Sequence, residues 1–368
     1  MGKKILFCVS NDLSSDQRMI RICSSLSAAG YEVALIGRKL PDSSALQKRN
    51  FEQIRLYCFF KSGKMFYLEY NFRLLIFLLF RKTDAICAID LDTILPAFLS
   101  SKIRNKICIY DAHEYFTEVP EVIRRPFVKQ VWELVAKMTI PSIKYCYTVG
   151  NALAAELSKK YKVDFLVIRN VSRKRDSEIE SELSNVPMPF ILYQGAMNEG
   201  RGVHLAIEAM RFIEGYHLVL AGDGDLFGQL KKHCTDLGLD DRIKFLGKVS
   251  PERLAALTPK ASLGLHLLEN SGLSYYLSLA NRTFDYIRAA VPAVHPDFPE
   301  YRNLIEMYKI GALLESYDPK LIAEQILNIL ANEEQYQFMK KECFRAAEDL
   351  CWENEEPVLI NFYRHIFA

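Results

Sequence analysis

The residues of this chain best placed to do chemistry lie in the run 193–202, Tyr-Gln-Gly-Ala-Met-Asn-Glu-Gly-Arg-Gly. A short β-rich stretch, 190–193, precedes it, and apolar residues at helical spacing follow: Val203, Ala206, Ile207 and Met210. A strand, a glycine loop and a helix start, in that order, leave backbone N–H groups free to meet an anionic ligand. Gly195 and Gly202 bound the loop, and Arg201 adds a rigid fork of donors suited to phosphate oxygens. A cation at a helix start opposes the helix dipole unless an anion is there. The loop therefore points to a phosphate.

Other polar groups cluster just after apolar runs. Gly222-Asp223-Gly224-Asp225 follows Leu218-Val219-Leu220-Ala221, and its glycines allow close backbone approach. Phe245-Leu246-Gly247-Lys248 ends a further run. In 279–292, Asn281, Arg282 and Asp285 open a helical pattern. Asp285 is either a ribose-binding carboxylate or a first-turn acid favoured by the helix dipole. Residues 109–120 carry Asp111, His113, Glu114 and Glu118 directly after a strand-like run, which sets His113 at a strand's carboxyl end. Asp90 and Asp92 either join His113 or cap the next helix. Asp90-Leu91-Asp92 has the Asp-x-Asp form, but no zinc spacing, phosphate-binding Walker loop or nucleophile elbow is present.

The elements that position these groups alternate. Strands are predicted at 4–9, 32–37, 84–89, 106–110 and 145–149, and helices at 16–29, 67–80, 126–140 and 152–160. Residues 170–189, rich in charge and closed by Pro187-Met188-Pro189, read as a linker. Strands then recur at 190–194, 217–221, 243–246, 262–267 and 292–294, with helices at 226–237, 251–257, 283–290 and 319–332. Such alternation implies parallel strands joined by right-handed crossovers. The expected fold is α/β, with two Rossmann-like doubly wound parallel-sheet domains facing across a cleft. The domains are placed at 1–170 and 188–350, with a helix at about 352–368 packing back on the first. Ligands of such sheets bind beyond the carboxyl ends of the strands.

At 368 residues, half of them hydrophobic and a quarter charged, the chain can bury two cores. A net charge of +2 gives no argument for nucleic acid. Nine scattered cysteines without a Cys-x-x-Cys pair read as reduced core thiols of a cytoplasmic protein. The first residues resemble the start of a signal peptide, but the apolar run stops at Asn11-Asp12 and reads as a first strand. The longest apolar run, 74–80, is far shorter than the roughly 18–20 residues that span a bilayer.

The order of loops in the second half resembles the retaining glycosyltransferases of the GT-B fold, the large bacterial group 1 family that includes mannosyl- and glucosyltransferases of cell-surface polysaccharide assembly. The resemblance covers nearly the whole chain. In that family a Gly-Arg-x-x-x-x-Lys-Gly loop grips the diphosphate of a nucleotide-sugar donor. Here Ala196 stands at the arginine position and Arg201 at the lysine position. The family's paired glutamates fall on Leu277 and Asp285, and 281–286 resembles the branch written Asn-Lys-x-Phe-Glu/Asp-Tyr.

The resemblance implies a donor domain at 188–350, with donor-binding residues Gly195, Arg201, Gly202, Gly222, Gly224, Lys248, Asn281, Arg282 and Asp285. It implies catalytic roles for Arg201, at the leaving diphosphate, and for His113, at the transferred sugar. The loop 271–274 is expected to hold sugar hydroxyls in place of the first glutamate. The implied activity is a metal-independent hexosyl transfer from a nucleotide-diphosphate sugar, with no other cofactor. Its acceptor is a carbohydrate or lipid-linked hydroxyl. Two alternatives stay open, a nucleotide-sugar epimerase of the same fold and a non-catalytic scaffold subunit. Arg73, Arg81, Lys82, Arg124, Arg125, Lys129 and Lys137, interleaved with Phe72, Phe77, Phe80, Phe127 and Trp132, form either a peripheral contact with the inner membrane face or a solvated rim.

Overall fold

A computed structural model describes residues 2–14, 16–41, 43–174 and 186–368. It divides into two compact units, Met1–Asn170 with Glu355–Ala368, and Val171–Asn354.

The first unit runs β1 (Lys4–Cys8), α1 (Gln17–Ala28), β2 (Glu32–Lys39), β3 (Glu52–Tyr57), α2 (Gly63–Phe80), β4 (Ala85–Ile89) and α3 (Leu91–Ile103). It continues through β5 (Ile107–Ala112), α4 (Pro120–Ile123), α5 (Pro126–Thr139), β6 (Tyr145–Thr148), α6 (Asn151–Tyr161) and β7 (Phe165–Val167). Its strands form one sheet in the order β3-β2-β1-β4-β5-β6-β7, all pairs parallel. The central strands Lys-Ile-Leu-Phe-Cys and Ala-Ile-Cys-Ala-Ile are continuous apolar runs because both of their faces are covered. Helix α1 starts where the Asp16 carboxylate accepts from the Met19 N–H at 3.0 Å.

The second unit runs β8 (Phe190–Gln194), α7 (Val203–Ala209), β9 (His217–Ala221), α8 (Phe227–Asp236), β10 (Ile243–Gly247), α9 (Pro251–Leu257), β11 (Leu263–Leu265) and α10 (Leu273–Tyr276). Then come α11 (Asn281–Arg288), β12 (Ala293–His295), α12 (Pro299–Tyr308), β13 (Gly311–Leu313), α13 (Pro319–Ala331) and α14 (Glu333–Asp349). Its parallel sheet has the order β10-β9-β8-β11-β12-β13. The last helix, α15 (Trp352–Phe367), belongs from Glu355 onward to the first unit. There Tyr363 and Phe362 rest on Phe7 and Tyr147, with ring centroids 6.0 and 5.4 Å apart.

Two doubly wound parallel sheets are present, as the alternation of elements implies. The structure adds elements that the sequence reading lacks. Strand β3 is an edge strand in Glu-Gln-Ile-Arg-Leu-Tyr, whose alternation hides among polar neighbours. Helix α2 begins four residues before its predicted start. Helix α3, strand β13 and helices α12 and α14 are also new. Of the expected linker, residues 175–185 lie outside the described residues.

Candidate active site

In each sheet the strand order reverses at one place, between β1 and β4 in the first unit and between β8 and β11 in the second. Connections leave a crevice beyond the carboxyl ends of the strands at such a reversal. Most of the predicted site residues gather at these two places, whereas Lys248 lies past β10, at the far edge of its sheet.

In the second unit, the loop after β8 interlocks with the loop after β9. Gly195 N–H donates to Ala221 O at 2.9 Å, and Met197 N–H to Asp223 O at 3.0 Å. Gly222 approaches Gly195 so closely that a Cβ on it would lie 1.9 Å from the Gly195 carbonyl oxygen. Gly224 packs likewise on Asn198, whose Oδ1 accepts from the Asp225 N–H at 3.1 Å. Gly222 and Gly224 are thus fixed by backbone approach, and Gly195 by the Arg282 side chain. On its other side the loop meets the segment after β11. Glu269 N–H donates to Gly200 O at 2.9 Å, and Gly202, with φ +65°, abuts Leu267.

Two arginines line this crevice. Arg282 is 7% exposed, in the first turn of α11, with its guanidinium over the Tyr193 ring at 4.5 Å. Its Nη1 has no hydrogen-bond partner. Arg201 lies over the Tyr275 ring at 4.6 Å, and its buried Nε is likewise without a partner. Among the described residues neither is paired with a carboxylate. A buried guanidinium without a counter-charge is costly, and a bound anion would offset that cost.

His266, directly after β11, belongs to the same place and was missed by sequence reasoning. It is fully buried, and neither ring nitrogen has a partner. Its ring meets Tyr301 edge-on at 4.9 Å and lies 6.0 Å from His295, which ends β12. Burial, reinforced by Arg282, His295 and Arg201, drives the His266 imidazole well below its usual range. Burial and Arg282 bring His295 down to about 3. Both rings are neutral at physiological pH, so the positive charge belongs to the arginines. A lone histidine inside Leu-Gly-Leu-His-Leu-Leu gives no signal beyond a core position. The available clue was its recurrence in Ala-Val-His at the end of the neighbouring strand.

Asp285 is the fifth residue of α11 rather than a first-turn acid, so the helix dipole offers it little. Its Oδ2 accepts from Gln194 Nε2 at 2.9 Å, and Gln194 Oε1 in turn accepts from Thr258 Oγ1 at 3.0 Å. Arg288 Nη2 stands 3.9 Å from its Oδ1. The carboxylate is therefore tied to the end of β8. Asn281 is exposed at the first position of α11, and Lys248 is exposed just past β10. In the loop 271–274, Ser271 Oγ is buried without a partner beside Gly200.

The first unit builds a charged network on the ends of β4 and β5. Asp111, fully buried, accepts from Arg18 Nη2 at 3.0 Å on one oxygen and faces His113 Nε2 at 3.0 Å on the other. Arg18 Nε lies 3.0 Å from the same imidazole nitrogen. That nitrogen cannot donate to Asp111 and accept from Arg18 at once, so protonation commits it to Asp111. Burial alone lowers the His113 imidazole, but Asp111 and Asp90 outweigh it and hold it at about 9. Asp90 does not cap α3 with its side chain. With φ +55° it turns its carboxylate to the His113 N–H, 2.8 Å away. Asp92, buried in the first turn of α3, accepts from Ser10 Oγ, and burial and Asp90 raise it to about 7. Arg18 was overlooked because a single cation on a helix reads as a solvated residue.

Sucrose-phosphate synthase of Thermosynechococcus elongatus superposes with a TM-score of 0.80 at 16% identity, over 100% of this chain and 99% of that one. Anabaena HepE, in complex with UDP and glucose, gives 0.76 at 16% identity over 99% of each chain. These likenesses define the fold, which is GT-B. Residues 174–344, just under half of the chain, match the family glycosyl transferases group 1. The O-antigen chain mannosyltransferase RfbU of Salmonella typhimurium is 25% identical over 187 residues, 49% of this chain and 50% of that protein. The chain spans half or less of the length of the curated relatives it matches.

Proposed function

We propose that this chain transfers a hexose from a nucleotide-diphosphate sugar to a hydroxyl acceptor, with retention at the anomeric carbon, in cell-surface polysaccharide assembly. The observation that carries the reading is the pair Arg282 and Arg201, one buried and one half-buried, without carboxylate partners among the described residues, at the crevice between β8 and β11. A diphosphate is an anion of the right charge and position for them. The family match over the same unit and the printed function of RfbU support it.

In the reaction the bond from the anomeric carbon to the diphosphate oxygen breaks, and a bond to the acceptor oxygen forms. The acceptor's proton leaves with the departing diphosphate. Arg201 and Arg282 stabilise the charge that develops on that leaving group. The interlocked glycine loop brings backbone close to the donor, and Asp285 is the proposed ribose acceptor. His113, held charged by Asp111 and Asp90, is assigned to the transferred sugar. Side-chain cations take the neutralising role without a divalent ion. The acceptor is a carbohydrate or a lipid-linked hydroxyl, and the proposed location is the cytoplasm, with peripheral contact at the inner membrane face when the acceptor is lipid-linked.

The test is transfer from UDP-, GDP- and ADP-sugars to polysaccharide-repeat acceptors in excess EDTA, with the product's anomeric configuration read by NMR. A product of unchanged configuration supports the reading. Inversion overturns retention, and activity that disappears with EDTA and returns with Mg²⁺ or Mn²⁺ overturns metal independence.

A further inference from the structure

Helix α2 is apolar on the side that should face water. Its inner positions, Phe66, Tyr70, Leu74 and Leu78, recur every four residues and are buried. Its outer positions, Met65, Leu68, Phe72, Ile76 and Phe80, also share one face, and all are exposed, Phe72 by 62% and Phe80 by 85%. An ordinary surface helix is polar there, and one that is apolar all round has a second apolar partner.

Helix α5 repeats the pattern, exposing Phe127, Val131, Leu134 and Met138 along a single stripe. The two helices meet. Tyr67 packs edge-on against Trp132 at 5.8 Å, and Lys64 Nζ lies 5.5 Å from the Phe127 ring. Helix α3, packed against both, adds Ile103 at 68% exposure. The result is one apolar face across three helices, larger than scattered surface residues produce.

The structure also revises the cationic rim. Arg73 is bonded to Glu69 at 2.8 Å, Lys129 to Glu118 at 2.7 Å, and Arg81 to Glu52. Those charges are already spoken for. Lys64, Lys102 and Lys137 border the apolar stripes. Of the carboxylates on these helices, Glu69 shares the α2 stripe with Met65 and Phe72, but it is only 12% exposed and is bonded to Arg73. Glu69 also accepts from the Phe59 and Phe60 N–H groups, Glu133 is half-buried, and Asp92 is buried.

We propose that this face inserts into the outer part of an anionic lipid bilayer, with α2 lying along the surface over about 27 Å. Apolar contact provides the hold, and the bordering lysines favour anionic headgroups. A second copy of the chain fits less well, because a two-fold contact would set these lysines against themselves, and Glu69, the carboxylate on the α2 stripe, is already bonded to Arg73 and to the Phe59 and Phe60 N–H groups. No helix among the described residues is long and apolar enough to cross a membrane, so the contact is in-plane. The proposal stands apart from the donor site and does not depend on it.

The experiment is co-sedimentation of the full chain with vesicles of phosphatidylethanolamine and phosphatidylglycerol, at low salt and at 1 M salt, where the Debye length is about 3 Å. Retention should survive high salt. F72E, F80E and L134E, singly, should each weaken it roughly tenfold or more. The UDP-induced thermal shift, read in parallel, should be unchanged in all three, which separates this result from failure of the donor assignment. Loss of retention at 1 M salt, or retention untouched by the three variants, overturns insertion. A dimer by light scattering that the same variants dissociate, with no vesicle binding, assigns the face to a second copy instead.

Discussion

Arg282 lies against Gly195, so that a Cβ at position 195 would stand 2.5 Å from the Arg282 Nη2. Gly195 also has φ +129°, a conformation that side chains rarely adopt. The glycine that turns the chain out of β8 is the one that leaves room for the buried guanidinium. Gly195→Ala should displace Arg282 and cost about 1–3 kcal/mol of stability from backbone strain. Nucleotide affinity should fall well beyond what that strain explains. Calorimetric titration with UDP or GDP against a folded variant measures it, and unchanged affinity would detach Arg282 from the donor.

Arg282→Met should separate binding from stability. Replacing an unpaired buried cation by an apolar side chain of similar length should leave the ligand-free melting temperature unchanged or raised. Binding of nucleoside diphosphates should be largely lost. Arg201→Ala should fold normally and lose roughly 2–4 kcal/mol of transition-state stabilisation in kcat/KM. A strong fall in ligand-free stability for Arg282→Met would instead make this arginine a structural tie to Tyr193.

His113 should titrate near 9, because Asp111 and Asp90 favour its charged form over the loss from burial. A folded value above the ordinary one of about 6.5 means that its stabilising contribution is complete below roughly pH 6.5. That contribution is lost as pH rises through about 9. NMR titration of the imidazole tests this directly. Asp90→Asn should bring the midpoint down. Asp111→Asn should do the same, and should cost about 3–5 kcal/mol by stranding the buried Arg18. A wild-type midpoint near 6.5 would contradict the network.

Asp285→Asn should weaken free nucleoside diphosphates with little change in melting temperature, because the amide keeps the shape of the Gln194 contact while losing the charged acceptor. Unchanged affinity with a lower melting temperature would assign Asp285 to Gln194 alone.

How far these features were legible in the sequence depended on whether local pattern or tertiary approach creates them. The loop 193–202 could be read because strand, glycine and helix start follow one another directly. Alternation alone implied two parallel sheets. Arg282 was named, but its want of a carboxylate partner was not visible, since that depends on which side chains the fold brings near. His266 and Arg18 act through neighbours 29 and 93 residues away in the chain, His295 and Asp111, and as single residues they look ordinary. The outward stripe of α2 was hidden for another reason. When both faces of a helix are apolar, periodicity cannot say which one faces the core, and only burial does.

The crevice between β8 and β11 is proposed to bind a nucleoside diphosphate through two arginines that have no carboxylate partner among the described residues. The most direct test is a thermal-shift panel of UDP, GDP and ADP on the wild-type chain and on Arg282→Met. A ligand at a hundred times its Kd should stabilise the wild type by about 2.7 kcal/mol. That shift is expected for at least one diphosphate, and none in the variant. No shift with any of the three, or an equal shift in both proteins, would contradict it.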